Sequence, residues 1–85
     1  MTDAIVTQRI QTMLQTIVPA LLNASDSWTV ETLKTTGSTL FLVRTSNPGP
    51  LIGKRGTTIQ ALRELVVKAG QSGHLQCQFD VMEAT

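Results

Sequence analysis

One cysteine, one histidine, one tryptophan, two phenylalanines and no tyrosine are all that 85 residues offer of the residue types that usually carry site chemistry. The single Cys77 excludes an intrachain disulfide framework and a multi-cysteine zinc site. One reduced thiol, expected to be buried, fits a cytoplasmic protein. One histidine, no pair of carboxylates in a plausible pocket and no nucleophile beside a base argue against an enzyme. The spacing Gly-x₄-Gly-Lys-Ser/Thr is absent, so a nucleotide triphosphate has no phosphate cradle. No apolar run approaches ~18 residues, and the N-terminus has no basic segment leading into an apolar one. Neither a membrane span nor a secretion signal is expected. Internal repeats and low-complexity segments are missing as well. What remains is a short chain with room for one small core, expected to be a single domain over 1–85.

The net charge of +1 hides an uneven distribution. Between Arg44 and Lys68 the chain holds Arg44, Lys54, Arg55, Arg63 and Lys68 against Glu64 alone, a net +4, and the rest carries −3. A basic centre in a nearly neutral chain implies a local anion site rather than general affinity for polyanions.

The pattern of apolar residues divides the chain into elements. Ile5, Val6, Ile10, Met13, Leu14, Ile17, Val18, Leu21 and Leu22 recur at helical spacing, so a first helix is expected over about 3–22, capped by Asp3 and kinked or ended by Pro19. Its stripe is read as core, with a dimer contact as the alternative. Trp28–Lys34 and Leu40–Thr45 read as strands joined by Thr35-Thr36-Gly37-Ser38, an antiparallel hairpin with Gly37 at positive φ. Trp28 is expected to anchor the hairpin; stacking on a ligand is the alternative. Asn47 and Pro48 suit the cap and first position of a short helical turn, which Pro50 keeps short. Ile59, Leu62, Leu65, Val66 and Ala69 mark a further helix, with Gly70 expected as its C-cap. In the last strand Leu75, Cys77, Phe79 and Val81 alternate with His74, Gln76, Gln78 and Asp80, which puts Cys77 on the buried side. A helical crossover between the second and third strands makes them parallel. The expected fold is α+β in the order α-β-β-α-α-β, a three-stranded mixed sheet with its helices on one face.

The most informative stretch is Leu51-Ile52-Gly53-Lys54-Arg55-Gly56-Thr57-Thr58-Ile59-Gln60-Ala61-Leu62. Two glycines bracket two cations between a short apolar lead-in and an amphipathic helix. Glycine lets the backbone turn sharply and approach a ligand closely. Thr57 and Gln60 stand at capping-box spacing, so the positive end of a helix is expected beside Lys54 and Arg55. An anion fits there, with a phosphodiester backbone the best candidate.

Residues 47–70 resemble a KH domain, whose hallmark is a Gly-x-x-Gly loop between two helices, here Gly53-Lys54-Arg55-Gly56 preceded by Ile52. The element order is similar to the type II, prokaryotic arrangement, with the core at about 38–83. The loop, Ile59-Gln60-Ala61-Leu62 and Cys77-Gln78-Phe79-Asp80-Val81 look most like the KH module of bacterial Jag/KhpB-type RNA-binding proteins. Those proteins carry a further nucleic-acid-binding domain, which this sequence lacks, and Pro48 and Pro50 shorten the helix before the loop.

The resemblance implies a non-catalytic module without cofactor or metal. It implies that the loop clamps single-stranded nucleic acid, RNA or else DNA, with about four bases in an adjacent groove. Gly53, Lys54, Arg55, Gly56 and Thr57 would meet phosphates, Ile52 and Ile59 would face bases, and Gln60 and Arg63 would add base or phosphate contacts. The bland readings are a plain tight turn for the loop, core packing for both isoleucines, and solvated surface charge for Arg44, Arg63 and Lys68. The rival function is a protein-interaction module that forms a homodimer or associates with another RNA-binding protein.

Overall fold

The computed structural model describes residues 2–84. The first helix, α1, spans Asp3–Leu21 and buries Val6, Ile10, Leu14 and Val18, positions spaced by four that fall on one side of the cylinder. Its cap is Thr2 rather than Asp3: the Thr2 hydroxyl accepts from the Ile5 N–H at 3.3 Å, and Asp3 lies within the first turn. Pro19 costs one backbone bond without ending the helix, which runs two residues further.

Strands β1 (Trp28–Thr35) and β2 (Ser38–Thr45) pair antiparallel from Trp28–Thr45 through Thr35–Ser38. Only Thr36 and Gly37 separate them, and Gly37 has the expected positive φ of 88°. The hairpin is therefore tighter than the sequence suggested. Strand β3 (Cys77–Glu83) pairs parallel with β2, from Thr39–Cys77 to Thr45–Glu83, giving the order β1-β2-β3. The helical crossover dictates this, because the chain returns to its starting end before entering β3.

Phe41 and Val43 of β2 and Cys77 and Phe79 of β3 meet α1, Leu51, Leu62 and Val66 in one core, with Trp28, Val30 and Leu75 packed at its margin. Trp28 thus anchors the hairpin, as expected. The opposite face of the sheet buries Leu42 but leaves Leu33 and Met82 about half exposed.

Three connections aim the segment that follows β2. The fully buried Thr45 donates its hydroxyl to Ser27 C=O at 2.8 Å and accepts from the Asn47 N–H at 3.2 Å. The Asn47 amide donates to the Asp26 carboxylate at 3.3 Å, which also accepts the Asn23 N–H. Asn47 is therefore spent on the turn before β1 and caps nothing. Helix α2 (Gly49–Ile52) starts a residue later than expected, with Pro48 at its N-cap and Pro50 in its only turn.

Helix α3 (Thr57–Gln71) follows the loop and packs Leu62, Val66 and Gly70 inward, with Ile59 and Ala69 half-buried. Leu65, expected in that stripe, is 46 % exposed. Gly70 is no αL cap. It sits inside the helix, buried against the sheet, where a Cβ would stand 2.6 Å from both Cys77 Sγ and Leu75 C=O. Close approach requires this glycine, not its dihedral freedom. The Leu75 N–H bonds to Gly70 C=O and the His74 N–H to Gln71 C=O, at 2.9 and 3.0 Å. Those bonds turn the chain at the end of α3, so His74 (φ 57°) and Leu75 precede β3 rather than extend it.

Candidate functional site

Three of the loop's four residues, Gly53, Arg55 and Gly56, lie at positive φ. Gly53 (φ 76°, ψ 172°) leaves α2 while its N–H still closes that turn on Gly49 C=O at 2.8 Å. Lys54–Gly56 forms a single 3-10 turn in which Gly56 N–H donates to Gly53 C=O at 3.1 Å. Arg55 (φ 58°, ψ 25°) and Gly56 (φ 75°, ψ 17°) are both left-handed. Two αL residues in succession turn the chain sharply before α3 begins at Thr57. The expected capping box does not form. Gly56 is the N-cap and has no side chain to bond with, and Thr57 turns back to donate its hydroxyl to Lys54 C=O at 2.9 Å.

Gly53 is required on two counts. Its dihedrals belong to a region that essentially only glycine occupies, and an added Cβ would lie 2.7 Å from Thr58 Cβ and 2.9 Å from Thr58 N, with Thr58 Oγ1 nearer still. At Gly56 an added Cβ would meet nothing closer than Ile59 Cγ2 at 3.9 Å. The first glycine permits α3 to press against the loop; the second supplies only a dihedral angle.

The structure sorts the cations. Lys54 and Arg55 are exposed and, among the described residues, have neither ion pair nor side-chain hydrogen bond. Their backbone N–H groups likewise bond nothing among the described residues. Arg44 is committed elsewhere: it lies on the face of the sheet away from the helices, with its Nε 3.0 Å from Glu31 Oε2. Lys68 is exposed on the last turn of α3. Arg63, three residues beyond Gln60 on α3, reaches across to the free edge of β3, where its Nε donates to Phe79 C=O at 3.3 Å and its Nη2 stands 3.5 Å from Asp80 Oδ1. Asp80 also accepts the Val81 N–H at 2.8 Å. Two edge groups of β3 are thereby satisfied within the chain, which protects the strand from pairing with another.

The apolar lead-in divides in two. Leu51 is fully buried, whereas Ile52 is 38 % exposed beside the loop. Ile59 is half-buried and packs against the core margin. Core packing therefore does not account for Ile52, and accounts for Ile59 only in part. Ile52, Gly53, Lys54, Arg55, Gly56, Thr57, Ile59 and Gln60 form one continuous surface at the junction of α2 and α3, and Arg63 leads from it onto β3. Asp80, which holds Arg63, escaped the sequence reading. Its place in the alternating strand was visible, but nothing in the sequence showed that β3 would be an edge strand beside α3. Among the described residues no three His, Cys, Asp or Glu side chains are grouped to hold a metal ion, and no helix is long and apolar enough to cross a membrane.

With the α-β-β-α-α-β order, the mixed sheet and a Gly-x-x-Gly turn between helices in place, comparison with known families is direct. The profile described as KH domain matches residues 10–72, more than half of the chain. This chain belongs to the KH domain family. The match takes in most of α1, the hairpin, the loop and all of α3, and ends before β3. No curated protein matches the chain significantly. KH domains are non-catalytic modules that generally bind single-stranded nucleic acid. In this KH domain the loop bearing Gly53 and Gly56 lies between α2 and α3.

Proposed function

We propose that this KH domain binds single-stranded nucleic acid, RNA in preference to DNA, by gripping the phosphate backbone with the Gly53-Lys54-Arg55-Gly56 loop. The observation that carries the reading is the pair of exposed cations at the loop tip, which no carboxylate of the described chain neutralises, beside backbone N–H groups left without partners. Such an arrangement is complementary to a phosphodiester. Thr57 supports the turn, Ile52 and Ile59 offer apolar surface to the bases, and Gln60 lies one turn further along. Arg63 joins only when it leaves Asp80. The type II arrangement, the likeness to Jag/KhpB-type modules and a cytoplasmic location belong to this proposal, resting on the sequence resemblance and the single free thiol.

The test replaces Lys54 and Arg55 together with aspartate. Both side chains are exposed, and aspartate tolerates the αL conformation of position 55 better than most residues. Fold and melting temperature are therefore expected to persist, since surface substitutions usually change stability by only about 0.5 kcal/mol. Two charge-assisted contacts become repulsive, so affinity for a short RNA falls roughly a hundredfold or more. The parent itself, neutralising two to three phosphates, should show a log–log salt slope of about −1.4 to −2. Fluorescence anisotropy with labelled octanucleotides of RNA and DNA measures both quantities. If the folded variant binds as the parent does, the loop is only a turn. The reading then passes to a protein-interaction module, for which the half-exposed Leu33 and Met82 on the open sheet face are the natural surface.

A further inference from the structure

We infer that the outer edge of β1 is a self-association surface, on which a second copy of this chain pairs its own β1 antiparallel about a two-fold axis at Leu33. The inference stands apart from the proposed function. It concerns the hairpin side of the sheet, whereas the loop follows the opposite end of β2.

Backbone geometry leaves this edge open. Thr39 N–H donates to Gln76 C=O, and Thr45 C=O accepts from Ala84 N–H, so both residues of β2 turn ladder groups toward β3. Their partners across the hairpin, Lys34 and Trp28, therefore point theirs the other way, out of the sheet, as do Val30 and Thr32 between them. Among the described residues nothing takes up the Val30, Thr32 or Lys34 N–H. Gln11 of α1 reaches β1 through the Thr32 hydroxyl and leaves its backbone free.

The devices that usually blunt an edge are missing here. Strand β1 runs eight residues without proline, and no bulge interrupts its register with β2. Glu31 is spent on Arg44, so Lys34 is the one charge left to guard the edge. At the other edge of the sheet, β3 is covered by Arg63 on Phe79 C=O. One edge is closed and the other is open.

The edge is complementary to itself. With the axis at Leu33, Lys34 lies opposite Thr32 of the second copy, and both residues have outward-facing backbone groups to exchange. Leu33 then meets its own copy in a pair that is not hydrogen-bonded, where side chains stand closest. Leu33 is 45 % exposed and lies beside Leu40 on the open face. Pairing joins Leu40, Leu33 and their copies in one apolar row across four strands. Charge is compatible with this register: Glu31 falls opposite Thr35, so no like charges face each other directly. The two lysines stand diagonally, and each lines a cleft with Asp3 of its own chain, whose charge offsets them. Above the strands, the flank of α1 that reaches β1 carries Gln8, Gln11 and Gln15, none of them charged.

Area sets the strength of the contact. Residues 31–35 of each copy pair over about 17 Å at 3.4 Å per residue. Such a contact buries well under the ~800 Å² per partner of a standard interface, so the dimer is weak and forms at high concentration.

The experiment is sedimentation equilibrium of the full chain from about 10 µM to about 1 mM, the range a weak interface calls for. The parent should rise from the mass of one chain toward that of two. Across the same range the Thr32 and Lys34 amide hydrogens should exchange with deuterium more slowly as concentration increases. Leu33→Lys puts two like charges on the axis. Lys34→Pro deletes an outward N–H and leaves every ladder bond to β2 in place. Both variants should keep the circular dichroism of the parent and self-associate roughly tenfold more weakly or worse. A parent that remains a monomer at about 1 mM overturns the inference. So does a dimer that Leu33→Lys breaks and folded Lys34→Pro keeps, since its copies then pack their open sheet faces together and leave the edges unpaired. Should Lys34→Pro fail to fold, the parent's amides decide: Thr32 and Lys34 exchange that is independent of concentration overturns the inference, and slowing with concentration upholds it.

Discussion

The two loop glycines make unequal demands on the fold, and substituting each by alanine measures the difference. At Gly56 the cost is conformational. An alanine held at φ 75°, ψ 17° loses roughly 1–2 kcal/mol to left-handed strain, of which about 0.4–1 kcal/mol returns because alanine has less freedom in the unfolded chain. Nothing crowds the new Cβ, with Ile59 Cγ2 at 3.9 Å. The net loss is then on the order of 1 kcal/mol, or about 4–8 °C in melting temperature for a domain of this size. At Gly53 the strain at φ 76°, ψ 172° is about 1–3 kcal/mol. The Cβ also stands 2.9 Å from the Thr58 backbone N, an atom that moves only if the first turn of α3 moves. Crowding of this kind adds roughly 1–3 kcal/mol. Once the same unfolded-state return is taken off, Gly53→Ala should therefore lose on the order of 3 kcal/mol, a large part of the stability of a small domain. Urea denaturation followed by circular dichroism gives both values, and Gly56→Asn, suited to the αL region, should fall nearer the parent than Gly56→Ala does. Equal losses at the two positions, or a larger loss at Gly56, would refute the division of labour between them.

Arg55 holds a left-handed conformation that arginine dislikes, so Arg55→Gly should leave melting temperature unchanged or raise it by a few degrees while weakening RNA binding; calorimetry and anisotropy on the same sample check this. Asp80→Asn should release Arg63 from its exposed pair at little cost in stability, given the ~0–1 kcal/mol typical of such pairs. The freed cation should steepen the salt slope of binding by about 0.7, and an unchanged slope would place Arg63 outside the phosphate contacts. Burial pushes the Cys77 thiol up from its ordinary value, and the Asp3 carboxylate adds to the effect. The unfolded chain therefore releases this proton first, so the contribution is fully present below about pH 8.5 and is lost as pH rises through the higher folded value. Urea titrations at stepped pH should show the stability gap between the parent and Cys77→Ala narrowing above that point.

Hydrophobic periodicity determined the type and order of the long elements, because spacings of 3.6 and 2 residues are written into where the apolar side chains fall, whereas the short α2 was read from Asn47, Pro48 and Pro50. It determined the parallel pairing of β2 with β3 as well, since a helical crossover leaves no other arrangement. The loop was legible for a different reason: glycines at a fixed interval around two cations state a backbone requirement and a charge together. Helix ends were not legible. Asp3, Asn47 and Thr57 have the chemistry of caps, but Thr2, Pro48 and Gly56 take those places, because a cap depends on where the chain enters a helix, and tertiary packing decides that. Asn47 found a better partner in Asp26, a residue of the turn before β1. Gly70 reads as a stop signal, yet it serves contact with Cys77, seven residues on. Leu51 and Ile52 look alike in sequence, and only the packing of α2 on the core sends one inward and leaves the other beside the loop. The basic window shows the same limit. Five cations stand close in sequence, but Arg44 faces the far side of the sheet and Arg63 lies against Asp80, so charge left unpaired at the tip remains only on Lys54 and Arg55. Composition can count charges; which of them meet a carboxylate is a property of the folded surface.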